Sequence, residues 1–363
     1  KNTQYCTEMA KQVKIKDIAQ MAGVSAGTVD RILHNRGNVS RESREAVERV
    51  LAEVDYKYNI HSSAISLRKE YNIVISIPTA NRGEYWGSIQ TGIEHATNEF
   101  SDINIHCHYA FYNQFDIYSC KAAFDSILDY DPDAVIIGPT FIEETVSLCG
   151  RLDKESVPYV FVDSVIDSTS PVATFTTDQS ACGLLIGKLL HSITPEDSEL
   201  AIFRTQRIGN RGANNTVERR KGFIEYFSNA GLSDKILESS FSVLNPEESE
   251  SGVLDFISRH KNIKGIAVMN SRGFIISDIL GRNGIDKIKV VSFDLTSNNI
   301  RCIENGSISA LLCQRPELQG FLSIKAVIRK LIYNHTEPIV HHTMPIDIIM
   351  KENLPFYREY IEF

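Results

Sequence analysis

Two spacings of apolar residues divide the chain. Between residues 14 and 54 they recur every three or four positions, which lines one face of a helix; from residue 72 onward they gather into short β-rich runs. Ile15, Ile18, Ala19 and Ala22 predict a first helix that stops at Gly23. Ser25 can cap a second, whose Val29, Ile32 and Leu33 face inward while Ala26, Gly27, Asp30 and Arg31 are left outside. A third, capped by Ser40, buries Val47, Val50, Leu51 and Val54. Two short helices around a Gly-containing turn, closed by a third, match a helix-turn-helix.

The later runs are NIVISIP, INIHCHYAF, AVIIGP, YVFVDS, ATFTTD, ELAIFRT, KILESSFSV, GIAVMN, VVSFDL and ISALLCQ, with helical stretches between them. Strands alternating with helices predict parallel sheets covered on both faces. The ten runs divide into two sheets, one over about 72–168 and one over about 169–294. In such sheets ligands sit beyond the carboxyl ends of the strands. Polar residues end run after run: Thr79 and Asn81, Thr140, Asp163, Arg204, Asn270, Asp294 and Gln314. Asp, Asn, Gln and Arg supply the donors and acceptors that a polyol needs, because each hydroxyl both gives and takes a hydrogen bond. Tyr85 and Trp86, just past the first run, offer aromatic faces to a sugar ring.

Charge separates the same two regions. Residues 1–70 carry 12 Lys and Arg against 9 Asp and Glu, a net of +3, and the remainder carries 26 against 37, a net of −11. A basic head on an acidic body suits a DNA reader with a separate sensing part. FRTQRIGNRGANNTVERR adds Arg204, Arg207, Arg211, Arg219 and Arg220 within seventeen residues, either a solvated loop or a site for an acidic sugar or sugar phosphate. Seven cysteines without a Cys-x-x-Cys pair read as reduced structural thiols. His106-Cys107-His108 lies in a strand run, where alternation separates the histidines from the cysteine, so no metal site is expected. No apolar run approaches the roughly 18 residues that span a bilayer, and the first residues lack the apolar centre of a signal peptide. A soluble, cytoplasmic protein is therefore expected.

From Val13 to Asn59 the chain resembles the N-terminal domain of the lactose/galactose repressor (LacI/GalR) family: D-I-A, A-G-V-S, T-V, R-x-L, V-S and S-R-E-x-V stand in register. FVDS, TTDQSACGLLIGKLL, ERRKGFIEYF, VVSFDL and QRPELQG are similar to that family's effector domain, which implies a type I periplasmic-binding-protein fold of two parallel-sheet lobes joined by three crossovers. The resemblance implies a helix-turn-helix domain over 13–58, a hinge linker over 59–70, a first lobe over 71–168 plus about 296–325, and a second over 169–295 plus about 326–352. It also implies base reading by Ala26, Gly27 and Arg31, of which Arg31 can fork onto guanine O6 and N7, with Asp30 close by. Ser25, Thr28, Arg36 and Arg41 are the expected phosphate contacts, and Ile65 or Leu67 the minor-groove wedge. Tyr56-Lys57-Tyr58-Asn59 departs from the family's Tyr-x-Pro-Asn, and Ser292 and Leu295 replace a common Gly and a second Asp. Asp163, Arg219, Asn270, Asp294 and Gln314 are the ligand contacts carried over position by position.

The expected protein is a homodimeric regulator, a repressor in the first instance, that binds a pseudo-palindromic DNA operator under control of a carbohydrate. A sugar-binding transport protein is the alternative. No phosphate loop, G-x-G-x-x-G, G-x-S-x-G or metal-spaced His/Glu helix points to an enzyme, and no catalytic residue, metal or cofactor is expected.

Overall fold

A computed structural model describes residues 15–33, 39–53, 69–208, 214–333 and 340–361, in two units, Lys1–Leu67 and Arg68–Phe363. In the first, α1 (Ile15–Ala22), α2 (Ala26–Leu33) and α3 (Arg41–Glu53) form where the apolar spacing places them. Gly23 adopts φ +68°, a left-handed conformation glycine takes without steric cost, and ends α1. The amide of Thr28 donates to Ser25 Oγ at 3.1 Å, and that of Ser43 to Ser40 Oγ at 3.3 Å, so each serine starts its helix. Ile18, Ala19, Val29, Ile32, Val47 and Val50 make the core. Val54 lies outside the described residues.

The second unit holds two sheets. One takes β1 (Tyr71–Ser76), β2 (Ile105–Tyr109), β3 (Ala134–Ile137), β4 (Tyr159–Val162), β5 (Ala173–Thr176) and β11 (Val340–Thr343), in the order β11-β5-β4-β3-β1-β2, all parallel. The other takes β6 (Glu199–Thr205), β7 (Ile236–Phe241), β8 (Ile263–Val268), β9 (Lys289–Phe293), β10 (Ala310–Cys313) and β12 (Asp347–Ile349), in the order β12-β10-β9-β8-β6-β7, with only β12 antiparallel. The central strands are buried on both faces, as continuous apolar runs require. Helices α4 (Tyr85–Glu99), α5 (Ile117–Asp125), α6 (Ile142–Lys154) and α12 (Pro316–Tyr333) accompany the first sheet. Helices α7 (Gln179–Ser192), α8 (Asn214–Asn229), α9 (Pro246–Arg259), α10 (Gly273–Arg282), α11 (Ser297–Glu304) and α13 (Leu354–Ile361) accompany the second.

Three assignments change. ATFTTD, expected in the second lobe from residue 169, forms β5 and pairs with β4 in the first, Val160 against Ala173 and Phe161 against Thr174. The chain crosses only afterwards, at Thr177–Asp178, where Asp178 caps α7 by accepting from the Ala181 amide at 2.9 Å. Within the range 296–325, expected to return to the first lobe, α11 and β10 stay in the second and only α12 crosses, after Gln314. Residues 326–352 are likewise shared, because the end of α12 and β11 belong to the first lobe and β12 to the second. β9, α11 and β10 make one β-α-β unit within the second sheet, and in all three cases the apolar spacing marks the strands without recording which strand each one pairs with.

Each lobe contains one unusually close helix crossing. A Cβ on Gly183 of α7 would lie 1.9 Å from the carbonyl oxygen of Arg219 on α8, and one on Gly222 of α8 would lie 1.9 Å from that of Ser180. Gly183→Ala is therefore expected to destabilise the second unit by about 1–3 kcal/mol as the helices part. Gly252→Ala in α9, where a Cβ meets open space, should stabilise it by about 0.5–1 kcal/mol. Calorimetric unfolding of both variants checks the pair; equal small shifts would mean that the backbones do not need to be so close.

Candidate ligand cleft and nucleic-acid interface

In the first unit Ser25, Ala26, Gly27 and Arg31 are exposed along α2, with Thr28 half-buried beside them. A Cβ on Gly27 would meet only Ser25 Oγ at 3.8 Å, so this edge of the helix is bare backbone and small side chains. Arg31 is the long cationic fork on the described face of α2. Arg41 sits at the start of α3, exposed and paired to Glu45 at 2.7 Å. Such a surface pair is worth little, so a phosphate can compete for the guanidinium. Arg36, Ile65 and Leu67 lie outside the described residues, as does the side chain of Asp30.

In the second unit the carboxyl ends of the two sheets enclose a cavity of about 80 Å³. The strand-end residues Thr140, Asp163, Asn270, Asp294 and Gln314 line it, together with Tyr85, Trp86 and Arg219. Asn81 lines an adjoining cavity of about 180 Å³, which shares Tyr85, Trp86, Gln114, Ser271 and Arg272 with the first. Arg204 does not reach either. Strand alternation sends it to the opposite face of β6, where it pairs with Glu238 at 3.6 Å, and its neighbour Thr205 faces the cavity instead. Arg220 joins the same Glu238, and Arg211 lies outside the described residues.

Asp163 and Asp294 follow β4 and β9, equivalent strands of the two sheets, and both adopt left-handed backbone, φ +73° and +65°. Asp tolerates that region better than most residues, yet such conformations persist only where surrounding contacts fix them. The amide of Asp163 donates to the carbonyl of Phe175 and to Gln319 Oε1, each at 2.9 Å; that of Asp294 donates to the carbonyl of Leu312 at 2.9 Å. The strain turns both carboxylates into the cleft. Asp163 accepts from Tyr85 Oη at 2.7 Å and from Asn215 Nδ2 at 2.6 Å, and Asp294 from Gln314 Nε2 at 3.1 Å.

Between them lies Arg219, only 3 % exposed. Its Nε donates to Gln179 Oε1 at 2.7 Å, Nη1 to the Met269 carbonyl at 2.9 Å and Nη2 to Gln314 Oε1 at 2.8 Å, while the guanidinium stacks 3.9 Å over Phe293. Burial dominates the titration of this cluster. It raises the Asp294 carboxyl to about 7 against the opposing pull of Arg219, raises Asp163, and lifts the Tyr85 hydroxyl well above its ordinary value.

The lobes touch across the cleft. Arg207, after β6, donates from Nε to the Gln114 carbonyl at 2.8 Å and from Nη1 to the Thr140 carbonyl at 2.9 Å, and it stacks 3.9 Å over Phe141. Arg272 pairs with Glu84 at 3.1 Å. The Ser297 amide donates to the Gly83 carbonyl at 2.9 Å. Sequence reasoning did not single out Gln114, Arg272 or Asn215, and of the arginine cluster it assigned Arg204 and Arg219 to the pocket but not Arg207. The strand-end rule covers none of them, since Gln114 and Arg272 lie in loops and Asn215 opens a helix. Among the described residues no cluster of three His, Cys, Asp or Glu could hold a metal. Cys107 bonds weakly to Thr97, His108 stacks on Tyr130, and His106 lies 3.8 Å from Glu70. No described helix is long and apolar enough to cross a membrane.

Known proteins share both units. Residues 14–59 match the model of the bacterial regulatory proteins of the lacI family, and residues 73–334 match the periplasmic binding protein domain. A crystal structure described as that of a LacI transcriptional regulator from Bacteroides fragilis superposes with a TM-score of 0.75 at 30 % identity, covering 80 % of this chain and all of that one. The HTH-type transcriptional regulator DegA of Bacillus subtilis is 23 % identical over 78 % of this chain and 81 % of its own. GanP, a glucose-galactose binding protein from Geobacillus stearothermophilus, shares the fold at a TM-score of 0.68 and 19 % identity, over 79 % of this chain and all of its own. With a matching head, a matching body and a relative of 30 % identity covered from end to end, the chain belongs to the LacI family of bacterial regulatory proteins.

Proposed function

We propose that the protein is a transcriptional repressor, acting as a homodimer on a pseudo-palindromic operator, whose DNA affinity is set by a carbohydrate held between its lobes. One observation carries this reading: the groups lining the cavity also join the lobes. Asn215 of the second lobe meets Asp163 of the first, and Arg207 reaches the carbonyls of Gln114 and Thr140. A ligand that exchanges hydrogen bonds with these residues acts on lobe closure at the same time. Closure then biases the paired linkers, and the coupling between ligand and operator equals the difference in ligand affinity between the two lobe arrangements, typically about 1–3 kcal/mol. The polar character of the lining, Asp, Asn, Gln, Thr and Arg beside Tyr85 and Trp86, suits a polyol with an apolar ring face. The glucose-galactose specificity in the name of GanP supports the same class.

Thermal unfolding against a panel of neutral sugars, uronates, sugar phosphates and nucleosides tests the ligand. A compound present at 100 times its dissociation constant should stabilise by about 2.7 kcal/mol, and Asp294→Asn or Arg219→Gln should remove that shift. A hit that survives both substitutions would place binding elsewhere.

Arg31→Ala tests the head. Removal of a bidentate base contact should weaken binding to an operator selected from random duplexes by about 1–3 kcal/mol, with no change in the ligand-induced thermal shift. Unaltered operator affinity would remove Arg31 from direct readout.

Asp294 also gives a pH signature. Its carboxyl titrates near 7 in the fold and near 3.8 in an open chain, so its contribution is fully present below the lower value and is lost as pH rises through the upper one. Asp294→Asn stays neutral. The variant should therefore gain stability relative to the parent between about pH 4 and pH 7, with a limiting slope of about 1.4 kcal/mol per unit. Urea unfolding of both proteins across that range measures the difference, and a constant offset would mean that Asp294 ionises normally.

A further inference from the structure

Three guanidiniums line the inner cavity, those of Arg207, Arg219 and Arg272. Two have carboxylates to answer them. Arg272 is paired with Glu84 at 3.1 Å, and Arg219 lies in the field of Asp163 and Asp294. Arg207 is different. Its polar contacts are the neutral carbonyls of Gln114 and Thr140, its flat face covers Phe141, and its buried Nη2 has no hydrogen-bond partner among the described residues. No described carboxylate lies within ion-pair distance of it, and the field of Glu144 offsets only part of the cost of its burial. A cation taken out of water without a counter-charge is costly, and removing or supplying its partner changes the energy of the whole site. Consistent with that, burial drives the Arg207 guanidinium down to about 10.

The remaining charges do not fill the gap. Asp163 is occupied by Tyr85 and Asn215, and Asp294 by Gln314. Glu84 is committed to Arg272. The lining of the inner cavity sets three guanidiniums against Asp163 and Asp294, a net of +1 with both carboxylates ionised, Glu84 of the adjoining cavity answers Arg272, and every proton taken up by Asp163 or Asp294 adds a further positive charge. A planar fork beside a cavity lined with Asp, Asn, Gln and Thr is the group that recognises a carboxylate or phosphate in two-point fashion.

We propose that the cavity selects an anionic carbohydrate, one bearing a carboxylate or a phosphate ester, with Arg207 as the counter-charge for its acidic group. This inference rests on the carbohydrate reading above and narrows it. It also gives the cross-cleft contacts of Arg207 a second purpose: the residue that ties the lobes together is the one whose charge the ligand completes.

Isothermal calorimetry and thermal unfolding of the full chain with matched pairs provide the test: glucuronate with glucose, galacturonate with galactose, and glucose 6-phosphate with glucose. The acidic member of at least one pair should bind about tenfold or more tighter than its neutral partner. Arg207→Gln should bring that ratio towards one, and Arg207→Lys, which keeps the charge but not the planar fork, should retain part of it. The ranking of uronate against phosphate ester then identifies the acidic group. If neutral sugars bind as tightly as their acids, the charge inference falls and the carbohydrate reading stands. If no carbohydrate of either kind binds, both fall. A loss of affinity for both members by the same factor in Arg207→Gln would make Arg207 a positioning residue only and overturn the proposal.

Discussion

A buried guanidinium organises the second unit. Arg219 is out of water and can be tolerated there only because every face of its fork is met: an amide from α7, a backbone carbonyl beyond β8, an amide beyond β10, and the ring of Phe293 at the end of β9. Those partners come from four separate elements, so the charge fixes their relative positions. Its own helix is seated by the glycine contact with α7, in which the backbone of Arg219 is the atom group approached most closely. The cavity is thus a by-product of solving one electrostatic problem, and its polar lining is what remains once Arg219 has taken its share of acceptors.

Legibility in the sequence follows the range of the interactions. The head could be read almost residue by residue, because Ser25, Gly23 and Ser40 act on neighbours within a single turn and the core repeats every three or four positions. The strand runs were also visible. Their allocation was not, since β5 joins β4 and β10 stays with β9 through pairings that no apolar pattern records. At the cleft, Asp163, Asp294 and Gln314 could be anticipated because strand ends form a geometric class. Arg204 was misplaced by one step of alternation. Arg207 stood in a conspicuous cluster, yet its partner carbonyl at Gln114 is 93 residues away, and nothing local distinguishes it from Arg220, which serves a surface ion pair.

The paired aspartates show how the two lobes use one solution twice. Each ends a buried strand, turns through left-handed backbone and is held by a hydrogen bond from its amide to a carbonyl of the neighbouring strand. The surroundings then diverge: Asp163 faces a tyrosine of its own lobe and an asparagine of the opposite one, whereas Asp294 faces a glutamine from its own side. One carboxylate is therefore bonded across the cleft, and the other only within its own lobe.

The chain passes between the sheets at Thr177–Asp178, after Gln314, and between β11 and β12, so the lobes are joined by three separate strips of backbone. Three anchors resist sliding and leave rotation as the soft motion, as a door hung on several hinges can swing but cannot shift in its frame. Under the proposed function, the signal that leaves such a cleft is an angle. A swing of fixed size moves each atom in proportion to its distance from the hinge line, so a small readjustment at the pocket becomes its largest displacement at the far ends of the lobes.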